Sequence, residues 1–164
     1  MNAAQTLDRC ARIEETVAKI YRRMAEAVRG GDELRSLWLE MAAEEEEHLR
    51  QIRLAQRLLR EDTAAAPQIS EGTLEQLASR ANSILRGVQR AGVSADDALR
   101  VSVKLEQDFL DIHGGRALDF ADENARRLFA NLARADQEHI ARLQRFCRAR
   151  SNTLRADAPH RDQA

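Results

Sequence analysis

At 164 residues the chain is long enough for one domain with a sizeable core and too short for two comfortable ones. Two Pro, seven Gly and 4% aromatic residues, against heavy use of Ala, Leu, Glu, Arg and Gln, predict an all-α fold and exclude a strand-based one, because these residues lose little entropy in a helix. A net charge of −1 with 32% charged residues creates no field toward nucleic acid or membrane, and Cys10 and Cys147 belong to no Cys-x-x-Cys, which excludes a zinc ribbon or a disulfide framework.

A first helix is expected from about Leu7 to Val28, closed at Gly30-Gly31, where a left-handed cap is easy. Asp32 then caps a second helix reaching about Leu59, and the stretch from Asp62 to Gly72 reads as a linker by its Pro, Gly and small residues. An extra amphipathic segment follows, with Leu74, Leu77, Ala81, Ile84, Leu85 and Val88 at helical spacing and Gly92 closing it. It is expected to cross between the two halves of a bundle. Ser94 to Asp97 forms a capping-box-like start for a third long helix, which accommodates Gly114-Gly115 with a kink and gives way near Phe120. Asp122 opens a fourth helix through about Arg148. The polar stretch from Ser151 to Ala164 has too little apolar content to pack, so a domain of residues 1–150 and a disordered tail of 151–164 are expected. No signal peptide or membrane-spanning run is visible, and a cytoplasmic location is the default expectation.

The chemistry lies in the apolar stripes. At about 100° per residue, Leu34, Trp38, Met41, Glu45, His48, Ile52 and Leu59 share one face, so a carboxylate and an imidazole spaced i, i+3 project together into a core. The other glutamates of the run Glu44 to Glu47 are read as solvated face. Residues 37–48 align without gaps to 128–139, which brings Glu45 onto Asp136 and His48 onto His139. The preceding helices match too: Leu7, Cys10, Glu14, Val17, Tyr21 and Val28 share a face, as do Leu99, Val103, Glu106, Phe109, Leu110, His113 and Ala117. Each of these stripes holds a single glutamate, with Glu15 turned outward toward Lys19 and Arg22. The chain is two helical hairpins of one design.

Four inward acids and two histidines cannot stay bare, because burying unpaired carboxylates costs more than the net stability of a fold. No Lys or Arg lies in the four stripes at those levels, whereas two divalent cations would balance four carboxylates and accept neutral imidazoles. An oxygen-rich set with some nitrogen suits iron or manganese better than structural zinc. Asp157-x-x-His160 shares the spacing but contains Pro159 and is given no role. Tyr21 and His113 stand two turns after Glu14 and Glu106; each is read as core packing or as a hydrogen-bonding neighbour of a ligand, and His113 also as a minor candidate ligand. Trp38 is read as core.

Over roughly Leu7 to Cys147 these motifs resemble the rubrerythrin and ferritin-like di-iron carboxylate family, marked by one Glu from each of two helices and a Glu-x-x-His from each of the other two. The resemblance implies a ferritin-like four-helix bundle of two hairpins with a long crossover containing an extra helix. It implies two iron ions, with manganese the other candidate, held by Glu14, Glu45, His48, Glu106, Asp136 and His139, with Glu45 and Asp136 bridging and Glu14 and Glu106 terminal. Three departures stand out. Asp136 replaces the family's Glu and is one methylene shorter; Phe109 occupies the position of a further ligand glutamate in rubrerythrins; and no rubredoxin-like Cys-x-x-Cys pair occurs, so electrons would come from another protein.

Two functions are compatible with this reading. One is a di-iron oxidoreductase of ferroxidase or peroxidase type that reacts with oxygen or hydrogen peroxide, uses an external electron-donor protein and assembles as a homodimer. The other is a non-catalytic metal-binding bundle that serves as an iron-binding or interaction module.

Overall fold

Asn2 starts the first helix with a reciprocal cap, its side chain accepting from the Gln5 N–H at 2.8 Å while the Gln5 side chain accepts from the Asn2 N–H at 2.9 Å. This cap brings the start of α1 (Ala3–Ala27) forward of the expected Leu7. The computed structural model of the chain describes residues 2–29, 31–58, 69–90, 93–113 and 123–156. Gly30, Leu59, Gly92, Gly114-Gly115, Phe120, Asp122 and the Asp157-x-x-His160 spacing lie outside the described residues, as does the expected kink.

The described residues form helices and no strand: α1, α2 (Asp32–Leu58), α3 (Glu71–Arg90), α4 (Ala95–His113) and α5 (Glu123–Ala156). Gly31 adopts φ 85°, and its carbonyl accepts the Arg35 N–H at 3.2 Å, so Asp32 is a first-turn residue facing the helix dipole and not the expected cap. Helix α3 begins earlier than the expected linker end at Gly72: Ser70 Oγ accepts the Thr73 N–H at 3.0 Å, and Glu71 and Gly72 are already helical. Ser94 caps α4 as expected, accepting the Asp97 N–H at 3.1 Å. Helix α5 passes the expected end at Arg148 and runs through Ser151 to Ala156: Arg150 Nε donates to Asp96 Oδ1 at 2.7 Å, and Ala, Arg and Leu hold a helix despite their polarity as a segment.

Contacts between named residues fix the directions. As numbers rise along α1 they fall along α2, from Asp8–Arg53 to Arg22–Glu46, and along α4, from Glu14–His113 to Met24–Ser102. Helix α5 is likewise antiparallel to α4, through His113–Asp136 and Asp96–Arg150, and to α2, through Glu44–His139 and Glu40–Arg142. Helices α2 and α4 therefore run the same way, and the chain must travel back between them. Helix α3 makes that return, with Arg9 Nη1 of α1 donating to Glu75 Oε2 at 2.7 Å and Arg80 paired with Asp108 of α4.

The core follows the expected stripes, with Leu7, Tyr21, Trp38, Met41, Ile52 and Leu99 all buried. On α4 the buried face is rotated slightly from expectation: Leu105 and Ile112 are inside, while Val103 and Leu110 are half-buried. Among the described residues no helix is long and apolar enough to cross a membrane.

Candidate metal centre

Each of the helices α1, α2, α4 and α5 delivers two polar side chains to one level. Helix α1 supplies Glu14 and Tyr21, α2 supplies Glu45 and His48, α4 supplies Glu106 and His113, and α5 supplies Asp136 and His139. None is more than 6% exposed.

Among the described residues two groups of three have donor atoms within 4.8 Å of one another: Glu14, Glu45 and His48, and Glu45, Glu106 and His139. Glu45 belongs to both. His48 Nδ1 is 3.0 Å from Glu45 Oε2, and His139 Nδ1 is 3.0 Å from Glu106 Oε2 and 3.2 Å from Glu45 Oε1. The rings of His48 and His139 stack with centroids 5.7 Å apart, so both nitrogens enter from the same side. Among the described residues Glu14 Oε1 and Glu45 Oε1 are buried and accept no hydrogen bond, their nearest cationic neighbours being His113 Nε2 at 3.3 Å and His139 Nδ1 at 3.2 Å, and such a carboxylate oxygen inside a core is costly unless a cation meets it. Carboxylate oxygens and imidazole nitrogens gathered in this way form a donor set of the kind that can hold metal ions.

Five of the six expected ligands thus converge in the two triads. Asp136, expected to bridge opposite Glu45, is buried at the same level but stands in neither triad. Its Oδ2 instead accepts from His113 Nδ1 at 2.8 Å, and His113 Nε2 lies 3.3 Å from Glu14 Oε1. Tyr21 hydrogen-bonds to an expected ligand, its hydroxyl donating to Glu106 Oε1, and its ring stacks on Trp38 with centroids 5.7 Å apart. Phe109 stacks on His113.

Glu44 does not lie on the solvated face expected for it. Its carboxylate, partly buried, accepts from His139 Nε2 at 2.7 Å and is clamped by Arg142 of α5, whose Nη1 lies 3.2 Å from Glu44 Oε1. With Nε2–H given to Glu44, His139 presents Nδ1 to Glu45 and Glu106, a carboxylate–imidazole arrangement that would fix its tautomer toward a bound metal. The available sequence signal was Arg142 one turn beyond His139, but it carries no information about which acid it meets.

Electrostatics reflect the crowding. Burial, then the charge of Glu45, push Glu14 and Glu106 above the ordinary carboxylate range, against the pull of His113 on the first and His139 on the second. Burial also opposes ionisation of Glu45, but hydrogen bonds from His139 and His48 outweigh it and hold Glu45 low. Burial disfavours charge on His113 as well, yet Asp136 and Glu14 raise it to about 10; Glu106, Glu44 and Glu45 likewise override burial and hold His139 far above its ordinary value. Without cations, protons and imidazolium charge take up the excess negative charge. Comparison of the chain with family models, with curated proteins and with solved structures finds no match.

Proposed function

We propose that the chain is a ferritin-like di-metal carboxylate protein, related in design to rubrerythrins, that uses two iron ions to react with oxygen or hydrogen peroxide. The observation that carries the reading is the sharing of Glu45 between two buried carboxylate–imidazole triads. The directions of α1, α2, α4 and α5, with the return through α3, support the ferritin-like bundle.

In this reading Glu14, Glu45 and His48 hold one ion, and Glu45, Glu106 and His139 hold the other. A bound redox-active pair supplies two electrons to the oxidant. The protein's own contributions are positional: Tyr21 holds Glu106, Glu44 turns His139, and burial keeps bulk water from the carboxylates. Reducing equivalents come from a separate donor protein. Manganese remains the other candidate metal, and a homodimer the expected assembly.

The alternative is a bundle in which the metals only staple the helices together. The two triads draw their donors from α1, α2, α4 and α5, so bound ions would cross-link the helices, and this favours that second reading. Ferrous iron added to the whole protein decides between them. The proposal expects about two ions per chain and consumption of oxygen or peroxide with a change in near-ultraviolet absorbance. Tight iron binding with no oxidant consumed selects the staple, and less than one ion per chain overturns both.

A further inference from the structure

The internal repeat pairs Glu14 with Glu106, and Tyr21 with His113, seven residues after each. In three dimensions each of these later residues reaches across to the opposite glutamate: Tyr21 meets Glu106, and His113 meets Glu14. The two meetings are chemically different. The phenol on one side donates to its carboxylate. On the other side His113 Nε2 faces Glu14 Oε1 at 3.3 Å, and that oxygen has no hydrogen-bond partner, while the imidazole Nδ1 is taken by Asp136 Oδ2 at 2.8 Å.

An imidazole whose Nδ1–H is given to a carboxylate presents a lone pair at Nε2. In the metal-free protein that position carries a proton turned toward the Glu14 oxygen; a cation that displaces the proton meets the lone pair and the Glu14 oxygen as two donors turned toward one buried space. The spacing suits it. Two donors at bond lengths of about 2.1 Å from one ion lie about 3.0 Å apart at a right angle and about 3.4 Å apart at a tetrahedral angle. The ring is also held on both faces, with Phe109 stacked at 5.8 Å between centroids and Phe129 tilted at 5.7 Å.

We propose that His113 is a third imidazole ligand, binding the ion on the Glu14 side through Nε2, and that Asp136 is the positioning residue that holds its Nδ1–H. The centre is then asymmetric: the Glu14 ion takes His48 and His113, while the Glu106 ion takes His139 alone and keeps a phenol beside its glutamate. Asp136, too short to act as its repeat counterpart Glu45 does, acts through His113. This rests on the di-metal reading given above.

The test uses the full-length protein loaded with cobalt(II) under anaerobic conditions, with equilibrium dialysis to count ions and proton NMR to count exchangeable, hyperfine-shifted imidazole N–H signals. The expected result is two ions and three such signals, one of them lost in His113→Gln. Asp136→Asn, which keeps all three imidazoles, should shift that same signal alone, and it assigns the signal should circular dichroism show His113→Gln unfolded. Two ions with only two signals would overturn the role of His113 and leave the di-metal reading standing. Failure to retain cobalt would overturn the di-metal reading and this inference with it.

Discussion

Glu45 of α2 and His139 of α5 approach to 3.2 Å between Oε1 and Nδ1, even though the other oxygen of Glu45 is already engaged by His48 within its own helix. One carboxylate therefore spans both halves of the centre. Replacing it should damage both, whereas replacing a terminal glutamate should damage one. Glu45→Gln is expected to reduce anaerobic ferrous binding from about two ions to less than one per chain, and Glu14→Gln to leave about one on the Glu106 side. Equilibrium dialysis of the two variants checks this; equal losses would contradict the sharing.

Glu44 tests whether a partly buried carboxylate outside the triads sets the affinity within them. Glu44→Ala removes the acceptor for His139 Nε2–H and leaves Arg142 beside that ring without its main partner. Affinity for the ion on the Glu106 side should fall by about 10- to 100-fold, the usual effect of losing a carboxylate that orients a ligand imidazole. The Glu14 side should be little changed. Competition titration with a colorimetric chelator resolves the two sites, and unchanged affinity at both would make Glu44 a surface residue after all.

Tyr21→Phe separates packing from hydrogen bonding. The phenyl ring retains the stack on Trp38, so only the bond to Glu106 is lost, and a destabilisation of about 1–3 kcal/mol in urea melts is expected from leaving a buried acceptor unpaired. Weakened metal binding should be confined to the Glu106 side. A variant as stable as the wild type would show that the phenol contributes packing alone.

The contrast between Glu45 and Asp136 shows which parts of the centre were legible in the sequence. Helical phase alone places Glu45, His48, Glu106 and His139 inward, because each stripe is read within one helix, and burial of these four groups agrees. Partnerships across helices depend on axial register and side-chain reach, which phase does not contain. Asp136 is in phase yet lacks the methylene that separates it from its repeat counterpart, and it pairs with His113. Glu44, out of the stripe by one residue, faces the seam with α5, where Arg142 waits. The all-helical fold and the returning α3 were legible for the first reason. The extension of α5 to Ala156 was not, because low apolar content argues against packing but not against continuing a helix.

The last prediction follows from the protons that the folded centre retains. His113 rises from an ordinary 6.5 to about 10, and Glu14 and Glu106 rise above their ordinary 4.5, so in the metal-free protein all three bind protons more tightly folded than unfolded. Stability from such groups is present at low pH and is lost as pH climbs: first through the window of the two glutamates above 4.5, then between 6.5 and about 10 as His113 gives up its charge between Asp136 and Glu14. Glu45, held low, acts in the opposite sense, with its contribution present above the ordinary carboxylate range and lost only in acid. The melting temperature of the apo protein should therefore fall between about pH 6 and about pH 9. Bound divalent cations take the place of those protons, so the holo protein should lose less over the same interval, and the gap between the two forms should widen with pH. At the low end of the interval metal removal should lower the melting temperature only moderately. Scanning calorimetry of both forms across the interval measures the gap directly. An apo melting temperature that is flat or rising, or a gap that narrows toward alkaline pH, would show that these buried acids are not organised around a cation.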